Sequence, residues 1–323
     1  MFPLKPEEIA ALDAGSLERL AALDAQGVML GPGESAEEFK ARLAALEREL
    51  AELDLQLLAP EGAELFKGVT LRPELAIPAE IMAEAAELNR HAYAFSAAWV
   101  PGFFLSKSLG ALWGGCAIVF NSGLRVFIIR AAFGKARSWL IYRRDELLSH
   151  ELCHAARAQM NDRRFEELFA YRLSFSKFRR RFGDCFQSSA DALLFLCPVV
   201  ALLAVQLVQT FLWAAMPVWP FWLLAFAYPL RLLLRSAAAR RAFERARAAL
   251  LPVYGDNVDA VLFRCSRAEL EELAAMPPGG AAGWAAVRVA SELRWKVIDF
   301  RFGAKAAKEG LAIPPDTSIY IGN

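Results

Sequence analysis

The sequence predicts an α+β fold joined to a transmembrane helical hairpin. Three observations carry this. Apolar residues recur at helical spacing over 39–57, short Val-, Ile- and Phe-rich runs separated by turns occupy 117–142, and residues 192–230 hold no charged side chain. The chain has 323 residues, 56% of them hydrophobic. That is enough for a sizeable core, with an excess beyond what a soluble domain usually holds.

Residues 1–60 read as a helical region. Ser35 and Glu38 make a capping box just after the Gly-Pro-Gly of 31–33. Phe39, Leu43, Leu46, Leu50, Leu53 and Leu57 then alternate at spacings of four and three, a heptad seam. The seam is short, so it is expected to form one side of a hairpin with residues 5–24 rather than a free coiled coil. After a break at 59–62, Pro78 is placed to be the first residue of a helix running to about Phe95. His91 lies on that helix and is expected to be an ordinary core or surface histidine.

Residues 61–190 hold the chemistry. Ala117-Ile118-Val119-Phe120, a turn at Asn121-Ser122-Gly123, and Arg125 to Arg130 predict a β-hairpin. A second turn at Phe133-Gly134-Lys135 leads to a further strand over 138–142, so a small antiparallel sheet is expected to feed into the next element. That element is Ser149-His150-Glu151-Leu152-Cys153-His154, which carries two of the chain's three histidines. Residues four apart stack on one helix face, so both imidazoles can reach one ion at about 2.0–2.1 Å. Glu151 projects to the side of that face, where it suits a general base better than a ligand. Cys153 flanks the opposite side and reads as a packed thiol. Arg157, seven residues after His150, returns toward the same face, where a salt bridge is its expected role.

Zinc needs a third protein ligand. Asn161-Asp162 reads as a turn to a second helix bearing Glu166 and Glu167, and either carboxylate meets the need. Over residues 150–171 the chain resembles the gluzincin class of zinc metallopeptidases, in which H-E-x-x-H is completed by a Glu on a following helix. The linker is shorter here than in thermolysin-like enzymes. The ligand Glu in such enzymes is often followed three residues later by Ala; Glu167 with Ala170 fits, so the resemblance favours Glu167 over Glu166. It implies a zincin-like catalytic unit, a Zn²⁺ cofactor, a peptide or protein substrate, and a sheet edge that pairs with the extended substrate. Tyr171 and Arg157 are its candidate oxyanion stabilisers.

Residues 191–234 read as the transmembrane hairpin. The uncharged run is too long for one span and just long enough for two short ones. Pro217, Trp219 and Pro220 supply the connection, and Trp213, Trp219 and Trp222 an interfacial belt. Lys177, Arg179, Arg180 and Arg181 on one outer flank, with Arg231, Arg235, Arg240 and Arg241 on the other, place both ends in the cytoplasm by the positive-inside rule. A re-entrant hairpin is the competing reading, because Pro229 and Arg231 interrupt the second half.

Residues 235–323 are expected to be helical. Residues 235–250 are basic and Ala-rich, Ser266 and Glu269 make another capping box, 276–280 is a break, 284–300 is one amphipathic helix, and the tail from 313 is irregular. A net charge of +1 gives no electrostatic case for nucleic acid. Five cysteines without C-x-x-C spacing read as reduced thiols, and the charges scattered through the first thirty residues read as no leader peptide. The function expected is a membrane-anchored zinc metallopeptidase facing the cytoplasm. The alternative is a membrane-bound regulator or scaffold with a structural or vestigial metal site.

Overall fold

The computed structural model describes residues 2–13, 15–66, 68–105, 114–120, 122–140 and 142–304. Among these residues the chain is mostly helical with three small sheets. Asn121 of the expected hairpin turn, Ile141 of the expected strand, and the tail from 313 lie outside the described residues.

The capping box at Ser35 forms as expected: its hydroxyl accepts from Glu38 N–H and the Glu38 carboxylate accepts from Ser35 N–H. It opens the helix Ala36–Leu58, whose seam residues Phe39, Leu43, Leu46, Leu50 and Leu53 are buried. The partner of the seam differs from expectation. Residues 5–24 are not one antiparallel helix; they form the short helices Pro6–Ala10 and Leu17–Ala25. The second of these packs on the C-terminal helix Leu293–Phe302, while Phe2, Ile9, Leu12 and Leu20 help cover the seam.

Strands β1 (Ala63–Phe66) and β2 (Val69–Leu71) make a tight antiparallel ladder. Helix Ala79–Tyr93 follows, with Pro78 at its N-cap, and ends where Ala94 turns left-handed at φ 56°. The main sheet has β3 (Gly102–Leu105) and β4 (Gly115–Val119) flanking the central strand β5 (Arg125–Arg130). The expected β4–β5 hairpin is present, with Val119 opposite Arg125 and Gly115 opposite Ile129. The sheet is nevertheless mixed rather than antiparallel, because β3 pairs with β5 in parallel. The expected strand over 138–142 does not join it. Leu140 adopts φ 51°, and the chain doubles back as the two-residue strands β6 (Ser138–Trp139) and β7 (Tyr142–Arg143).

Central strand β5 explains the layering. Val126, Phe127, Ile128 and Ile129 are all fully buried, as a strand covered on both faces must be. Phe127 and Ile129 face one core, built with helix Ala79–Tyr93, the histidine helix Arg144–Arg157, the glutamate helix Glu166–Arg172 and the C-terminal helices. Val126 faces the other core, formed by the N-terminal helices. The C-terminal region thus shares a core with the metal motif.

Helices Ser189–Phe211 and Trp219–Tyr254 are long and apolar enough to cross a membrane, and their apolar side chains are largely exposed over the uncharged run. The second runs unbroken through Pro229 and Arg235, so the basic 235–250 segment continues it rather than beginning anew. Beyond it the capping box at Ser266 forms, and the break over 276–280 is present. The expected single helix over 284–300 is two helices, Ala281–Ser291 and Leu293–Phe302, divided at extended Glu292. Cys116, Cys153, Cys185, Cys197 and Cys265 form no disulfide with one another.

Candidate metal centre

The histidine helix is seated by contacts from remote parts of the chain. Asn89, fully buried on helix Ala79–Tyr93, donates through Nδ2 to the Ser149 carbonyl at 3.0 Å and to Cys153 Sγ at 3.1 Å. Cys153 is therefore a packed thiol, and burial drives its pKa far up. At the helix end Arg157 turns away from the metal face. It pairs with buried Asp162 at 2.8 Å, donates to the carbonyls of Phe263 and Cys265, and lies over the Phe169 ring. The salt bridge expected of Arg157 is present and an oxyanion role is ruled out by that orientation.

The turn expected at Asn161-Asp162 is the hinge between the two site helices. Asn161 is left-handed at φ 46°, a conformation Asn tolerates better than most residues. The Asp162 carboxylate accepts from the backbone N–H groups of Arg164 and Phe165 at 2.9 and 3.0 Å. This folds the glutamate helix back across the histidines.

The result brings His150, His154 and Glu167 together, with donor atoms all within 4.8 Å of one another. The two Nε2 atoms are 3.1 Å apart, and the Glu167 oxygens lie 3.5 Å from His150 Nε2 and 3.4 Å from His154 Nε2. Ligands about 2.05 Å from a tetrahedral zinc sit about 3.3 Å from each other, close to the separation of the two Nε2 atoms, while Glu167 presents Oε2 to His150 and Oε1 to His154. Two neutral nitrogens and one carboxylate are also the chemistry zinc prefers at a site with an open position. These residues can hold a metal ion.

Glu166 serves differently from its neighbour. Its Oε1 lies 3.0 Å from His154 Nδ1, the nitrogen pointing away from the metal face, and Arg125 of β5 stands 3.9 Å behind it. A carboxylate on the far nitrogen fixes the tautomer and orientation of a ligating imidazole. Burial opposes ionisation of Glu166, but the hydrogen bond and charge of His154, with Arg125, hold its carboxyl below the usual range. For His154, burial disfavours the cation, yet Glu166, Glu167 and Glu151 together raise its pKa. Burial, His154 and Arg179 drive His150 well down, leaving it a neutral imidazole. Burial also raises Glu151, against His154 and Arg125, and lifts Glu167 to about 7, with Glu151 and Glu166 adding repulsion. A divalent cation held between His150, His154 and Glu167 would offset that crowding of carboxylates.

A cavity of about 290 Å³ opens over His150 and Glu151, walled by Gly114, Gly115, Tyr142 and Tyr171. Outer strand β4 comes close to the histidine helix there. A Cβ on Gly115 would stand 2.9 Å from the Ile128 carbonyl and 3.3 Å from Leu147, so only glycine permits this approach. The Tyr171 ring meets His150 edge-on at 4.6 Å. Arg179 closes the wall, paired with Glu146 at 2.6 Å and lying over both tyrosines.

Sequence reasoning singled out His150, Glu151, His154 and both glutamates, but not Asn89, Arg125 or Arg179 as members of the site. No local spacing links those three to the motif; only the fold brings them in. His91 sits apart, 3.6 Å from Glu87 on its own helix. No family model, curated protein or solved structure matches this chain.

Proposed function

We propose that the chain is a membrane-anchored zinc metallopeptidase of zincin-like organisation, with its site on the cytoplasmic side of the bilayer. The observation that carries the reading is the convergence of the His150, His154 and Glu167 donor atoms, all within 4.8 Å of one another, beside an open cavity. Bound zinc supplies polarisation of the scissile carbonyl and acidification of the attacking water. Glu151 lines the cavity next to His150, and its raised basicity suits it to take the proton from water and pass it to the leaving amine. Outer strand β4, at the cavity wall, suits an extended peptide held by backbone hydrogen bonds. Tyr171, at the same wall, is the candidate donor to the developing oxyanion. The basic residues at both outer ends of the long apolar helices support the cytoplasmic orientation.

A structural site closed by a fourth protein ligand is disfavoured, since Cys153, the nearest cysteine in sequence, is bound to Asn89 instead. The test is elemental analysis and peptide-library hydrolysis on detergent-purified wild type, Glu151→Gln and His154→Ala. Zinc is expected in the first two and hydrolysis in wild type alone. Full hydrolysis by Glu151→Gln, or no zinc in folded wild type, overturns the proposal.

A further inference from the structure

A second cavity, of about 480 Å³, adjoins the first, and Tyr142, Tyr171 and Arg179 line both. Its walls are otherwise largely apolar. Phe182 and Phe186 line it, together with Phe195, Pro229 and Leu233 from the two long apolar helices. An apolar groove therefore lies between the long helices and the metal cavity, with Tyr142, Tyr171 and Arg179 as the walls common to both cavities.

The position of the groove along the hairpin is fixed by polar markers. Asp191 near the start of the first long helix is tied to Arg235 of the second at 2.7 Å and accepts from the Tyr228 hydroxyl at 2.8 Å. Ion-paired groups of this kind belong at the edge of the hydrocarbon layer, not within it. Phe195 lies one turn inward from Asp191 and Leu233 two residues before Arg235, so the groove opens at that edge. Beside it, helix Lys177–Phe182 carries Lys177, Arg180 and Arg181 in addition to the wall residue Arg179, with Phe178 71% exposed. Exposed aromatic rings among basic side chains suit a headgroup layer.

We infer that the groove receives the juxtamembrane segment of a membrane-embedded protein, whose apolar end stays in the bilayer while the residues just outside it reach over His150 and Glu151. The inference rests on the peptidase reading. It explains why the apolar channel leads from the hairpin rather than from bulk water. An extended segment advances about 3.3 Å per residue, so each residue beyond the headgroups carries the chain that much farther toward the metal cavity. A free peptide in water would lack the tether and gain only the metal-cavity contacts.

The test reconstitutes the full chain with zinc in phosphatidylcholine–phosphatidylglycerol vesicles. A library of juxtamembrane sequences is supplied twice, fused to a transmembrane helix in the same vesicles and as soluble peptides. Phe186→Ser and Leu233→Ser are compared with wild type, and Glu151→Gln is the inactive control. Losing burial of one such side chain is expected to reduce cleavage of tethered substrate roughly tenfold or more, with soluble-peptide cleavage unchanged. Mass spectrometry should place the cuts next to the bilayer. A photoreactive benzoylphenylalanine replacing Phe186 in the Glu151→Gln chain should crosslink tethered substrate, independently of turnover.

Equal loss on both substrates, or no loss on either, overturns the groove while leaving the peptidase intact. Crosslinking to phospholipid alone, with fatty acid released and no peptide cut, assigns the groove to a lipid instead. Absence of cleavage of either library by wild type, at the level of the Glu151→Gln control, overturns the peptidase reading and the inference with it.

Discussion

Glu166 and Glu167 are neighbours of the same type on one short helix, and their roles divide by direction. Glu167 reaches both Nε2 atoms, whereas Glu166 reaches only His154 Nδ1. Glu167→Ala is therefore expected to abolish stoichiometric zinc binding. Glu166→Ala should keep zinc but weaken it about 10–100-fold, as loss of a carboxylate behind a ligating histidine typically does. Competition with a fluorescent chelator separates the two, and equal losses would refute the division. Gly183 offers a second check: a Cβ there would overlap the Tyr171 ring, which leans on His150. Gly183→Ala should displace Tyr171, lowering turnover more than zinc content, as measured by paired kinetics and metal analysis. The histidine pair and its following glutamate were legible because i, i+4 spacing is a local property. The choice between adjacent glutamates had no such physical signal in the sequence alone, and Arg125 and Arg179 reach the site only through folding.

Helices announced by capping chemistry formed where the sequence placed them, as at Ser35 and Ser266. Within the first, burial decides the cost of change. Leu43 is fully buried and Leu55 is 70% exposed. Leu43→Ala should cost about 2–5 kcal/mol by cavity formation, and Leu55→Ala within about 0.5 kcal/mol. Denaturant unfolding followed by circular dichroism measures both, and similar midpoints would contradict the assigned face. Elements held by long-range pairing were harder to read. Strand β3 meets β5 across more than twenty residues, so its parallel register left no turn signature of its own. The stretch over 284–300 has continuous amphipathic spacing, yet Glu292 breaks it while binding Arg288 on one side and Arg294 on the other. Arg294 is in turn committed to buried Glu269, a tertiary contact that helical periodicity does not reveal.

At the scale of the whole molecule, Asp24 ties the N-terminal helices to the C-terminal region through Arg264 and Arg301. Burial raises its pKa, but the two guanidinium groups more than offset this and hold the carboxyl below its ordinary value. A depressed folded pKa means the stabilisation is complete above the unfolded value of about 3.9 and disappears as pH falls through the lower folded value. Asp24→Asn should cost about 3–5 kcal/mol at neutral pH by leaving buried Arg264 uncompensated. The gap in melting temperature between wild type and Asp24→Asn should narrow below about pH 4; a gap independent of pH would show that the ion pair is not its source. The continuous helix Trp219–Tyr254 has a different reach. Its 36 residues extend about 54 Å, and on its core half Phe243 meets Phe169 edge-on at 5.4 Å, two residues from Glu167. In the proposed anchored arrangement the other half would lie among lipid tails, and a mismatch with their thickness is one of the influences on its tilt, beside its packing on the first long helix. The helix is then a lever with its fulcrum at the headgroups. If the helix is anchored in this way and does not flex at Pro229, a change of tilt would press Phe243 against the glutamate helix, and acyl-chain length would become a mechanical input to the position of Glu167.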